Sequence, residues 1–159
     1  MDAYERRAIE VQELLQRFDA GDFDFTNSFF STDMDASELV RRYAAGEREF
    51  SDIGLTSLDL SSINLVGVNL TGAKLVSTNL TGANLTSANL SYAYLAGANL
   101  SGANLMNANL TGAFLIGANL ESANLRGAIN EGIQDHTAFY HNTIMPNGIV
   151  EVGPYWAEG

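Results

Sequence analysis

The sequence predicts an all-β solenoid, and three observations carry that expectation. Every fifth residue from Phe50 to Leu125 is Leu, apart from Phe50 itself, giving sixteen consecutive centres without a slip of register. Ala stands two residues before most of them, at 73, 83, 88, 93, 98, 103, 108, 113, 118 and 123. Asn usually stands one residue before, as in Ala83-Asn84-Leu85 and Ala103-Asn104-Leu105. A period of five matches neither the helix, with its repeat of about 3.6, nor the plain strand, with its repeat of about 2. It requires a regular turn every five residues, and a chain that turns that regularly winds into a solenoid.

Each five can be assigned faces. The centre points inward, and strand alternation points the residue two before it inward as well. The other three positions face outward. Ala beside Leu leaves little room inside, so the coil is narrow and dry. Gly falls two residues after the centre at 67, 72, 82, 97, 102, 112, 117 and 127. That is the corner, where a type II turn needs a positive φ.

The Ala-Asn-Leu-X-X run resembles the pentapeptide-repeat family, and the chain looks like its cyanobacterial type. The resemblance implies a right-handed quadrilateral β-helix with four fives per coil, and hence four to five coils here. The helix-like Leu39-Val40-Arg41-Arg42-Tyr43-Ala44-Ala45-Gly46-Glu47-Arg48 before the repeats and the closing Asn142-Thr143-Ile144-Met145-Pro146-Asn147-Gly148 are similar to that group too. A fifth, imperfect coil continues the register, with Ala128, Ile133, Ala138 and Thr143 inward and the poor centres Asn130, Asp135, Tyr140 and Met145. It is expected to be distorted and to close the C-terminal end. At the usual strand spacing, five coils rise roughly 24 Å.

The first coil carries Ile53, Leu58, Ile63 and Val68 where later coils carry Ala. It should be wider, or packed against something. Arg48 cannot point inward comfortably. Thr78 is the one polar break later on, and its hydroxyl needs a backbone partner.

Three regions follow: a helical N-terminal cap over 1–47, the β-helix over 48–132, and a capping coil with tail over 133–159. In the first, Tyr4, Ala8, Val11, Leu15 and Phe18 form the stripe of an amphipathic helix that Gly21 should stop. Ser37 is a candidate N-cap for a second helix, with Leu39, Val40 and Tyr43 apolar and Gly46 as its stop. Residues 13–21 and 38–46 align as copies, and each leads to an acidic stretch ending in Phe25 or Phe50. Phe25 and Phe30, five apart, then read as a fragment of an extra coil. The helices either cap the open end, whose unpaired backbone would otherwise invite polymerisation, or form a docking arm.

Composition excludes several functions. The 159 residues carry 19 acids and 8 bases, a net charge of −11, and nucleic acid binding requires the opposite balance. There is no Cys, so disulfides and thiolate metal sites are absent. No apolar run approaches membrane-spanning length and no signal-like segment opens the chain, so a cytoplasmic protein that binds neither membrane nor nucleic acid is expected. The repeat body, 48–132, holds 5 acids and 3 bases, while 1–47 holds 11 and 5.

No catalytic, cofactor or metal site emerges. His136 and His141 fall after successive centres and so on different walls, where they cannot share an ion. Asp59, Glu121 and Glu131 lie on different columns or coils without a partner for acid–base work. Leu and Ala fill the interior, leaving no ligand cavity.

The outward columns are polar, with one exception. Asn64, Asn84, Asn104 and Asn124 should stack, as should Asn79, Asn99 and Asn119, their amides bonding along the axis. One face instead carries Gly54, Lys74, Tyr94 and Phe114, with Thr56, Val76, Ala96 and Ile116 two residues on and Tyr92 at the adjoining corner. A contiguous apolar patch marks an interface, and aromatics anchor such patches. Lys74, Val76, Tyr92, Tyr94, Phe114 and Ile116 are the candidate partner-binding residues. The patch serves another protein, a second copy in a homodimer, or the tail residues Ile149, Val150, Val152, Tyr155 and Trp156 folded back.

A non-catalytic protein–protein interaction module with an unknown partner follows. The alternative, implied by relatives that inhibit type II topoisomerases such as DNA gyrase, is mimicry of a DNA duplex. Asn where a mimic needs Asp, and a short, nearly neutral body, speak against it. A polysaccharide-cleaving β-helix would need a groove of convergent carboxylates, and there is none.

Overall fold

The computed structural model describes residues 3–21, 33–152 and 155–156. From Glu49 to Ile144 each residue before a centre pairs in parallel with the residue twenty further on: Glu49 with Asn69, Gly54 with Lys74, Asp59 with Asn79, Asn64 with Asn84, and onward to Asn124 with Ile144. Twenty residues per lap and five per side make a four-sided tube. The fifth lap keeps register, through Ile129, Gln134, Phe139 and Ile144.

The backbone bonds explain why five residues suffice for a side. The centre's N–H reaches one lap forward, as from Leu75 to the Tyr94 carbonyl at 2.8 Å, and the preceding residue reaches one lap back, as from Tyr94 to Ala73 at 2.9 Å. The corner closes on itself, with the N–H of Ala73 on the Leu70 carbonyl at 3.0 Å. Its third residue takes φ of +65° at Gly72, the left-handed conformation a type II turn demands. Ser57, Ser77, Ser87, Tyr92 and Asn107 hold corners at φ between +55° and +58°.

Asn before the centre works inside its own corner. The side-chain oxygens of Asn69, Asn99 and Asn109 accept the backbone N–H two residues on, at 3.1, 3.1 and 3.0 Å. This is an Asx-turn, which satisfies a corner amide that no lap neighbour reaches. The expected Asn columns therefore stack, but their oxygens bond locally. Axial bonds run instead from Asn69 to Glu49 and from Asn79 to Asp59, at 2.6 and 3.0 Å.

Leu and Ala fill the lumen from Leu55 to Leu125. Thr78, fully buried, donates to the Leu55 carbonyl at 2.7 Å, the partner its hydroxyl required. Thr143 repeats the solution in the last lap, on the Leu120 carbonyl at 2.6 Å.

At the N-terminal end lies a helix, α2 (Ala36–Ala44). Its N-cap is Asp35 rather than Ser37: the Asp35 carboxylate accepts the Glu38 N–H at 2.8 Å. Leu39 and Met34 join the solenoid core, and Tyr43, Ile53, Leu58 and Ile63 pack against it, so the larger residues of the first lap meet this head. Asp33 pairs with the open edge, donating its N–H to the Gly54 carbonyl and accepting the Gly54 N–H on its carboxylate, both at 2.9 Å. Arg48 turns outward over the Tyr43 ring, 3.8 Å from its centroid.

The other helix, α1 (Ala3–Asp19), does not join that head. It packs on the side of the tube, so the single helical cap expected over 1–47 divides into two differently placed helices. The reason is that Val11, Leu14 and Leu15 of α1 and one solenoid wall are both apolar, and they pack against each other; the side chains of Tyr4, Ala8 and Phe18 lie outside the described residues. Phe25 and Phe30 lie outside the described residues.

At the C-terminal end, β1 (Phe139–Tyr140) and β2 (Thr143–Ile144) belong to the last lap. Strand β3 (Val150–Glu151) returns antiparallel along β2, and β4 (Tyr155–Trp156) along β1. The tail thus pairs with the edge of two sides. None of its described side chains joins the cluster on the apolar face, and Ile149, Val150 and Val152 remain exposed; the side chains of Tyr155 and Trp156 lie outside the described residues. Among the described residues, no helix is long and apolar enough to cross a membrane.

Candidate functional site

The second wall has Leu55, Leu75, Leu95 and Leu115 as its inward centres. Outward positions on a solenoid wall need no apolar side chain for the tube to form, and the neighbouring walls carry Asn, Ser and Thr there. On this wall Val76, Tyr94, Ala96, Phe114 and Ile116 make a second hydrophobic cluster, separate from the lumen, together with Leu14. Val11 and Leu15 pack against it from the same helix.

The rings of Tyr94 and Phe114, one lap apart, stack with centroids 5.1 Å apart and planes inclined by 18°. Val76, Ala96 and Ile116 stand in the parallel column. Ala96 is the smallest of the three and sits between the two larger ones, so the column is shallowest in its middle. Leu14 is fully buried in the cluster, while Val11 and Leu15 are half-buried. Burying one large aliphatic or aromatic side chain stabilises by about 1.5–3 kcal/mol. Most helical stability in proteins comes from packing of an apolar face, and α1 packs Val11, Leu14 and Leu15 on the wall.

The structure brings four of the six sequence-predicted residues together: Val76, Tyr94, Phe114 and Ile116, all buried beneath α1 rather than open to solvent. Lys74 is half-buried outside the cluster, and Tyr92 stands at the corner, 44% exposed. Tyr92 holds φ of +57°, a conformation unusual for a bulky residue, and its ring covers Gly112.

Sequence reasoning missed Leu14, the deepest residue of the helix side. The stripe drawn through Val11 and Leu15 skips it, because a helix docked on a ribbed wall engages i, i+3 and i+4 together. The available signal was that the chain has two apolar faces, a helix stripe and a wall.

Other groups offer little chemistry. Among the described residues, no three His, Asp or Glu side chains could hold a metal ion. A hollow of about 40 Å³ opens at the last lap, lined in part by Asn130, Asp135, Tyr140 and Met145. Tyr140 donates to Asp135 there at 2.8 Å, and the space suits a water or two. The hydrogen bond from Arg41 holds the Glu38 carboxyl below its ordinary range, and that from Arg42 does the same for Glu47. Hydrogen bonds from Ser61 act likewise on Asp59. These are surface groups of the head and first lap, remote from any cleft.

Residues 63–102 and 103–129 match the family model for pentapeptide repeats, in eight copies. A pentapeptide repeat protein from Nostoc Pcc 7120 is 36% identical over 65% of this chain and 78% of that one, with a TM-score of 0.37. The chain belongs to the pentapeptide-repeat family. Proteins of this family wind as right-handed quadrilateral β-helices, and the four-sided register found here follows that architecture.

A second pentapeptide-repeat neighbour, from the cyanobacterium Cyanothece 51142, is 26% identical over 69% of this chain and 97% of that one, with a TM-score of 0.32. HetL, a pentapeptide repeat protein involved in heterocyst differentiation regulation in Nostoc sp. strain PCC 7120, is 21% identical over 74% of this chain and all of that one, with a TM-score of 0.29. No curated protein matches the chain.

Proposed function

We propose that this pentapeptide-repeat protein is a non-catalytic interaction module that binds another protein through the walls of its solenoid. One observation supports the reading: an apolar, aromatic-centred wall stands outside the lumen, where the fold itself does not call for one, and it is covered only by the chain's own helix α1 among the described residues. Repeat solenoids bind through such surfaces. The lumen is filled mainly by Leu and Ala.

Affinity capture by the full chain tests this, with Ile116→Asp alongside. A protein held in stoichiometric amount by the wild type and lost by the variant supports the module. Capture of no protein by the wild type overturns it. Duplex mimicry makes a different demand: purified chain in micromolar excess would have to inhibit DNA supercoiling by gyrase. The Asn-bearing walls lead us to expect no inhibition.

A further inference from the structure

We infer that the second wall is a receptor for an amphipathic α-helix, and that α1 occupies it in cis as a displaceable lid. The inference rests on the interaction-module reading and names the partner's chemistry. The ligand class is already on the wall: a helix that places aliphatic side chains at i, i+3 and i+4, here Val11, Leu14 and Leu15, over Val76, Tyr94, Ala96, Phe114 and Ile116.

Two geometric facts make the wall fit a helix. Successive laps lie about 4.8 Å apart, and a helix rises about 5.4 Å per turn. A helix laid along the tube therefore finds one row of wall side chains under each turn. Ala96, the small residue between Val76 and Ile116 in their column, shares one buried cluster with Leu14, Tyr94 and Phe114.

Val11, Leu14 and Leu15 belong to the wall cluster and not to the lumen core, so removing α1 takes no side chain out of that core. Sixteen residues separate Asp19, the last of α1, from Ala36, the first of α2. At no more than about 3.3 Å each their contour is at most about 50 Å, against the roughly 24 Å rise of five laps. α2 and Asp33 engage the first lap through Met34, Leu39 and the Asp33–Gly54 hydrogen bonds, none of which involves a residue of α1. Being on the same chain, α1 competes intramolecularly with any partner helix. A partner helix must therefore outbid it, either by more apolar contact or because α1 is pulled away.

Fluorescence anisotropy with a labelled synthetic peptide of residues 3–21 tests this on full-length chains. Leu14→Asp loosens the lid and lies outside the solenoid. The Leu14→Asp chain should bind the peptide at least tenfold more tightly than wild type, and adding Ile116→Asp or, separately, Phe114→Arg should abolish the gain. Amide hydrogen exchange supplies an independent reading: Leu14→Asp should deprotect α1 and leave the amides of Leu95 and Leu115 protected. Equal peptide affinity of wild type and Leu14→Asp, or a gain that survives both wall substitutions, overturns the inference. So does protection of α1 that is unchanged by Leu14→Asp. If the peptide fails while capture still depends on Ile116, the receptor is not for a helix and the module reading stands. If the peptide binds but no protein is captured, the module reading falls and the lid remains.

Discussion

The ring of Tyr92 lies over Gly112, one lap further on: a Cβ built on Gly112 would sit 2.6 Å from two of its ring carbons. Both residues hold corners at positive φ, +57° and +63°. The pair couples an exposed aromatic to a position where a methyl group would meet its ring.

That coupling is measurable. Gly102, at φ +65°, has nothing within 4 Å of the point a methyl would occupy, so Gly102→Ala should cost only the backbone penalty of about 1–2 kcal/mol. Gly112→Ala should cost about 1 kcal/mol more in urea unfolding. In a Tyr92→Ser background the two substitutions should cost the same, because Ser takes this corner conformation at positions 57, 77 and 87. Equal costs in the wild type would show that the ring moves aside freely.

The buried Thr78 hydroxyl should matter on its own. Thr78→Val keeps the volume but removes the donor to the Leu55 carbonyl. That carbonyl keeps the Leu58 N–H, at a longer 3.4 Å. A loss of about 1 kcal/mol is expected from thermal or denaturant unfolding. No loss would mean that the corner amide alone satisfies the carbonyl.

The lumen should be least tolerant in its middle laps. Leu100 is fully buried among Leu and Ala, so Leu100→Ala should cost about 2–5 kcal/mol, with the residual cavity adding to the transfer loss. Met145, half-buried beside the terminal hollow, can be truncated with neighbours relaxing into open space, and Met145→Ala should cost less than half as much. Similar costs would show that the last lap is as rigid as the centre.

Acid should weaken the head and first lap. The folded-state carboxyls of Glu38, Glu47 and Asp59 titrate below their ordinary values of 4.5, 4.5 and 3.8. A depressed carboxyl favours the fold when ionised, so this contribution is complete above the unfolded value and is lost as pH falls through the folded one. Unfolding midpoints should therefore hold above about pH 5 and decline below about pH 4. Asp59→Asn keeps the turn bond that Asn makes elsewhere but loses the ionised carboxyl's contribution, so its midpoint at pH 7 should drop slightly and should fall less on acidification. An identical acid profile would show that Asp59 contributes nothing to the decline.

Much of the fold was legible in the residues themselves. Leu at every fifth position is a local signal repeated until it has one solution, and the Thr78 hydroxyl announced its need for a carbonyl. The Asn before each centre was read as an axial ladder because its column is obvious from spacing. Its bond to the amide two residues on depends on how the corner turns. Ser37 yielded to Asp35 as N-cap by the same kind of local competition, decided by where the chain enters the helix.

The candidate site was half legible. Val76, Tyr94, Phe114 and Ile116 stood out because the wall period placed them together, and the stripe of α1 stood out by helical spacing. Sequence by itself determined that two apolar faces exist and that each must be covered, because exposed apolar area is costly wherever it lies. Only the tertiary structure decided that they cover each other, with Leu14 at the centre. Burial is non-directional, and a stripe carries no record of which surface it will meet.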